Sequence, residues 1–141
     1  MTNSPEHALT TLMRQTIPML DFADWRLTSI SRTRASARAP LSPNRNIHGT
    51  GFAGAQYVTA VATGWALIQY LTSVADMQGE VVLRDANIRY RRPVKDDMII
   101  NAWRDTEISD RKHWYPVCVE LISQEAVCAE FRGVYVFLPA S

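Results

Sequence analysis

The chain is predicted to be an α+β protein in which antiparallel strands enclose one long buried helix. Three observations predict this. No charged residue occurs between Thr50 and Ala75. Within that stretch Ala53, Tyr57, Ala60, Val61, Gly64, Leu67, Ile68 and Leu71 recur at the three-and-four spacing of one helical face. Beyond Met77-Gln78-Gly79, period-two patterning takes over, clearest in Tyr115, Val117, Val119 and Leu121 and again in Val127, Ala129 and Phe131.

The elements follow in order. Ser4-Pro5-Glu6 supplies a capping hydroxyl and a first-turn proline, which predicts a helix over 5–17 that Pro18 ends. Its apolar face is Leu9, Leu12, Met13 and Ile17. A strand is predicted over 25–34, where Trp25, Leu27, Ser29, Ser31 and Thr33 alternate with Arg26, Thr28, Ile30, Arg32 and Arg34. A turn-rich loop with Pro40, Pro43, Asn44, Asn46 and His48 leads into the central helix, predicted over 51–74. That helix is apolar on nearly every side, which marks a core element. Gln56, Thr59, Thr63 and Gln69 interrupt it too often for a membrane span. Four strands are predicted after it, over 80–92, 98–106, 114–123 and 126–138, joined by turns at Pro93–Asp97, Ser109–Arg111 and Gln124-Glu125. Connections that short make neighbours antiparallel, so the economical packing wraps a five-stranded sheet round the helix.

At 141 residues the chain is read as one domain, residues 1–141, with a single core. A formal net charge of +1 gives no electrostatic case for nucleic acid or an anionic membrane as partner. The first residues show no basic segment followed by an apolar run, so the cytoplasm is the expected compartment. Cys118 and Cys128 lack metal-type spacing and read as free thiols rather than a bridge or a zinc site. The arginines at 84, 89, 91 and 92 are either a solvated face or phosphate contacts.

Chemistry concentrates where the loop meets the central helix. A helix N-terminus offers unpaired N–H donors and a positive dipole end. Gly49, Gly51 and Gly54 either pack the helix closely or let a ligand reach the backbone, in which case the amides near Gly51 and Phe52 would polarise a carbonyl oxygen. His48 is a general base or a loop-satisfying histidine, and Asn46 positions it or serves the turn. Gln56, polar on the first turn of a buried helix, needs a partner, either a loop carbonyl or a group beside substrate. Asp85 stands in a basic strand as an ion-pair partner or a catalytic carboxylate, and His7 and His113 are expected to be exposed. There is no nucleophile elbow, HExxH or P-loop.

Together, APLSPNRNIHGTGFAGAQYVTAVATGWAL and the later DANIRYRRPVKDD resemble the hot-dog fold thioesterase superfamily, closest to the thioesterases of the YiiD C-terminal type. The resemblance runs from Leu9 to Leu138. It implies a curved five-stranded antiparallel sheet round the central helix, and a homodimer, or a tetramer, formed through the strand at 80–92. The implied activity is hydrolysis of an acyl thioester of CoA or an acyl carrier protein, so that CoA or phosphopantetheine enters only as part of the substrate. By position, Asn46 and His48 fall in the active-site loop, Gly51 and Phe52 supply the carbonyl-binding amides, and basic residues such as Arg89 and Arg91 meet phosphates. Many relatives carry an Asp or Glu on the central helix. This helix has none, and Gln56 stands near that place. Glutamine cannot take up a proton as a carboxylate does, which leaves His48, or Asp85 from the partner subunit, as base. Two other functions share these residues: a 3-hydroxyacyl or enoyl thioester dehydratase or hydratase, and a non-catalytic acyl-thioester binder.

Overall fold

The computed structural model describes residues 4–105 and 111–141. Helix α1 spans Pro5–Thr16 and α2 Pro18–Phe22; the strands are β1 Arg26–Ile30, β2 Arg34–Ala39, β3 Gly79–Tyr90, β4 Met98–Arg104, β5 Trp114–Ser123 and β6 Ala126–Pro139; the central helix α3 is Ala53–Val74. The strands form one antiparallel sheet in the order β1-β2-β4-β5-β6-β3. Of the turns expected in the C-terminal half, Ser109–Arg111 lies largely outside the described residues, as does the predicted end of the strand at Thr106.

The sheet has six strands where five were expected, because residues 25–39 form a hairpin. Ser31 makes the reversal: its Oγ accepts from the N–H of Thr33 at 3.3 Å and of Arg34 at 3.1 Å, and its own N–H donates to the Arg34 carbonyl at 2.8 Å. A serine side chain thus replaces the glycine or asparagine that usually announces a turn. The returning strand RASARA buries Ala35, Ala37 and Ala39, and alanine carries little β signal of its own. Between β5 and β6, Gln124 and Glu125 both have positive φ, 51° and 63°, as a two-residue type I′ connection requires.

Pro18 ends α1 as expected and then opens α2, since its fixed φ and missing N–H suit a first helical position. Ser4 caps α1 by accepting the His7 N–H at 3.1 Å. At the other end of this helical pair, Arg14 bonds Asp24, which also bonds Arg26, both at 2.8 Å. Burial opposes ionisation of Asp24, but the hydrogen bonds and charges of Arg14 and Arg26 outweigh it and hold the carboxyl below its ordinary range.

Helix α3 lies across the concave face of the sheet, with Ala60, Ala66, Leu67 and Ile68 fully buried. Its hydroxyls survive there because each bonds a carbonyl one turn back: Thr63 to Thr59 at 2.7 Å and Thr72 to Ile68 at 3.0 Å. Thr63 also accepts the indole N–H of fully buried Trp25 at 3.1 Å. Gly64 faces the Tyr135 ring, where a Cβ would stand 2.5 Å from the phenol oxygen. That phenol donates to the Val61 carbonyl at 2.7 Å, and burial pushes its pKa far up, so it stays a donor. No helix among the described residues is long and apolar enough to cross a membrane.

Candidate active site at the start of the central helix

The loop before α3 is built on Asn46. Its Oδ1 accepts from the N–H of His48 at 2.8 Å and of Thr50 at 3.1 Å, while Nδ2 donates to Thr50 Oγ1 at 2.9 Å. Its backbone N–H adds a bond to the Thr50 carbonyl at 2.7 Å. Asn46 is therefore the clamp of a tight turn, closed by the positive φ of Gly49, 82°. It holds the backbone of His48, and the imidazole projects into solvent beside Ile47, which is 95% exposed.

Gly51 and Phe52, expected to bind a carbonyl, have already donated their N–H groups, Gly51 to the Val94 carbonyl at 2.8 Å and Phe52 to that of Asn44 at 2.7 Å. The reason is geometric: the chain must be pinned at both points to enter α3 at this angle. Gly51 is glycine because a Cβ would approach Val94 Cβ to 2.7 Å. The helix begins at Ala53, two residues later than expected, and Phe52 provides no side-chain cap. The N–H groups of Ala53, Gly54 and Ala55 consequently have no acceptor among the described residues. These are the open donors of the site.

Gln56 sits directly behind them and is only 4% exposed. Its Nε2 donates to the Gly51 carbonyl at 3.1 Å. Its Oε1 is buried with no partner, alone in this respect among the described residues. Reversing the amide would set two carbonyl-type oxygens against each other at Gly51, so that bond fixes the orientation. An acceptor left bare in this way costs about 1–3 kcal/mol. Tyr90, at the end of β3, closes the far side, its phenol donating to the Ala53 carbonyl at 2.8 Å. Burial, then the nearby Tyr57, raises its pKa and keeps it a donor.

Two apolar hollows run away from this point between α2 and α3. One of about 630 Å³ is lined by Met19, Phe22, Phe52, Gly54, Ala55 and Val58 among others. The next, about 230 Å³, shares Tyr57 and Val58 and reaches Val61 and Trp65. A wider hollow of 1080 Å³ lies between α1 and β1, where Arg14, Asp21, Asp24 and Arg26 pair with one another. Those four charges thus satisfy one another.

The remaining expected residues lie elsewhere. Asp85 is 75% exposed on β3, its nearest cation Arg84 at 3.9 Å, and within one chain it does not join the loop. Arg89 is exposed on the same strand, whereas Arg91 is paired with Glu130 at 2.7 Å. His7 is exposed, but His113 is half-buried with its ring against Phe137, 5.5 Å between centroids. Both cysteines are free, and no group of three metal-ligating side chains occurs among the described residues.

Sequence reasoning missed Asn44. This buried side chain donates to the carbonyls of Ala23 at 3.0 Å and Pro40 at 2.7 Å, tying α2 to the loop, while the backbone carbonyl of Asn44 accepts the Phe52 N–H. An asparagine between Pro43 and Arg45 looks like any turn residue, and only burial distinguishes it.

A long helix gripped by an antiparallel sheet, with open amides and a buried glutamine at its first turn, defines a hot-dog fold protein of the thioesterase type. The chain belongs to the family described as "Putative thioesterase (yiiD_Cterm)", whose model matches residues 6–139. A putative thioesterase from Shewanella oneidensis is 33% identical, with a TM-score of 0.88 over 98% of this chain and 100% of that one. A probable thioesterase from Pseudomonas aeruginosa, at 22% identity, superposes with a TM-score of 0.81 over 99% of each chain. A thioesterase from Haemophilus influenzae, at 17%, gives 0.79 over 99% of this chain and 93% of that one. These last two likenesses are of fold.

Proposed function

We propose that the protein hydrolyses an acyl thioester carried by CoA or an acyl carrier protein, acting as a homodimer without a metal or dissociable cofactor. The observation that carries this reading is the buried, unpartnered Oε1 of Gln56 beside the open N–H groups of Ala53, Gly54 and Ala55. The amides receive the thioester carbonyl oxygen and stabilise the charge that develops on it. Gln56 Oε1 accepts a hydrogen bond from the attacking water, which aims the water oxygen at the carbonyl carbon. The C–S bond then breaks, the acyl group leaves as a carboxylic acid, and the departing sulfur takes up a proton. Glutamine orients the water but cannot receive its proton, so His48, or Asp85 of the partner subunit, acts as base.

Dimer formation is supported by β3, a twelve-residue edge strand that among the described residues pairs with β6 alone and is exposed along most of its length. An edge so long invites a second strand. The test is release of free thiol from a panel of acyl-CoA and acyl-carrier substrates, expected to exceed the background rate. A panel with no release sinks the reading. The absence of a carboxylate from α3 favours one competitor, a non-catalytic binder. Thermal stabilisation by acyl-CoA without thiol release would identify it.

A further inference from the structure

Resting on that reading, the geometry points to the α2–α3 groove as the seat of a straight acyl chain of about eight to twelve carbons, with Met19, Phe22 and Val58 among its walls. The groove is polarised from end to end. Its mouth is made by Phe52, Gly54 and Ala55, and the last two carry the open N–H donors. Beyond the mouth the walls are apolar side chains of α2 and α3, and the second hollow adjoins the first at Tyr57 and Val58 and lies against Val61 and Trp65. A ligand that matches has one carbonyl at its head and hydrocarbon behind it. From Gly54 to Trp65 the helix rises about 16 Å. That is the reach of roughly twelve carbons joined by C–C bonds of about 1.5 Å at tetrahedral angles.

The outer wall is exposed hydrocarbon, Met19 at 61%, Phe22 at 75% and Phe52 at 54%. These side chains stand round the rim, where a seated chain would bury them. Asn44 anchors this wall, since its bond to the Ala23 carbonyl fixes the end of α2 relative to the start of α3.

The test compares kcat/KM for acyl-CoA substrates from two to sixteen carbons in the wild type, Val58→Trp and Phe22→Ala, with sedimentation of each variant. In the wild type, kcat/KM is expected to rise about fourfold per added methylene, equivalent to about 0.8 kcal/mol, and to level off near twelve carbons. Val58→Trp, at a half-buried position, fills the groove midway and lowers the dodecanoyl-to-butyryl ratio at least tenfold. Phe22→Ala, on an exposed wall, lowers the same ratio several-fold without shortening the optimum. Hydrolysis with no length preference, or a ratio unmoved by Val58→Trp, overturns the groove and leaves thioester hydrolysis standing. Dissociation of a dimer by Val58→Trp with an unchanged ratio also overturns it and gives the groove to a second copy of the chain. If nothing is hydrolysed, thermal stabilisation is measured with alkyl-CoA thioethers. Stabilisation that grows with chain length and is lost in Val58→Trp supports the groove in a binder, and its absence overturns both readings.

Discussion

Gln56 Nε2 stands 3.1 Å from the Gly51 carbonyl, and this one bond determines which end of the carboxamide is left bare. A Cβ on residue 51 would lie 3.3 Å from the same nitrogen, so the glycine and the glutamine fit each other. The cost of the unpaired oxygen is borne at the helix terminus where three N–H donors are also open. Such an arrangement is intelligible when a ligand completes it.

Gln56→Ala is therefore expected to lower turnover by about 10²-fold, the scale of losing one polar group aimed at a transition state. Stability should change by no more than about 1 kcal/mol, because the bond to Gly51 and the orphan oxygen disappear together. Thiol release and thermal unfolding measure the two effects. Unchanged turnover would remove Gln56 from the mechanism.

His48→Ala should reduce turnover and leave the melting temperature where it is, since the imidazole is exposed and only the backbone N–H is held by Asn46. Full activity in this variant assigns the base to Asp85. Comparison of kcat for His48→Ala and Asp85→Asn separates the two.

Gly64→Ala should destabilise the fold by about 1–3 kcal/mol, because the new methyl group meets the buried Tyr135 ring rather than a movable chain end. The Tyr135→Phe background removes the phenol oxygen, the nearest atom. Denaturant unfolding of the four-member cycle should give a coupling of about 0.5 kcal/mol or more. Strict additivity would contradict the contact.

Asp24→Asn should weaken the attachment of α1 to β1 by about 1 kcal/mol or less at neutral pH, the scale of a partly exposed ion-pair group. Asparagine tolerates the positive φ of 56° at this position, so the change isolates the charge. Because the folded carboxyl titrates below its ordinary value of 3.8, its contribution is present above that pH and is lost as the pH falls through the lower, folded value. The gap between wild type and variant should begin to close near pH 3.8 in acid unfolding and vanish below the lower, folded value. A gap that persists there would show that charge is not the cause.

The sequence alone determined the α+β class, the central helix and the four C-terminal strands, because each rests on local periodicity, and it pointed to the helix start as the candidate site, because any helix start presents unpaired donors. Phrases such as Asn46 through Gln56 were legible as a place. Tertiary structure decided which partner each residue bonds there. It spent the Gly51 and Phe52 amides on Val94 and Asn44 and moved the open donors to Ala53–Ala55. It made Asn46 a turn clamp and stranded one oxygen of Gln56. It also turned Ser31 into a hairpin that composition did not announce. The physical reason is common to all of these. A hydrogen-bond donor has one proton to give, and which acceptor receives it depends on where distant carbonyls come to rest after packing, and neither spacing nor residue type encodes that position.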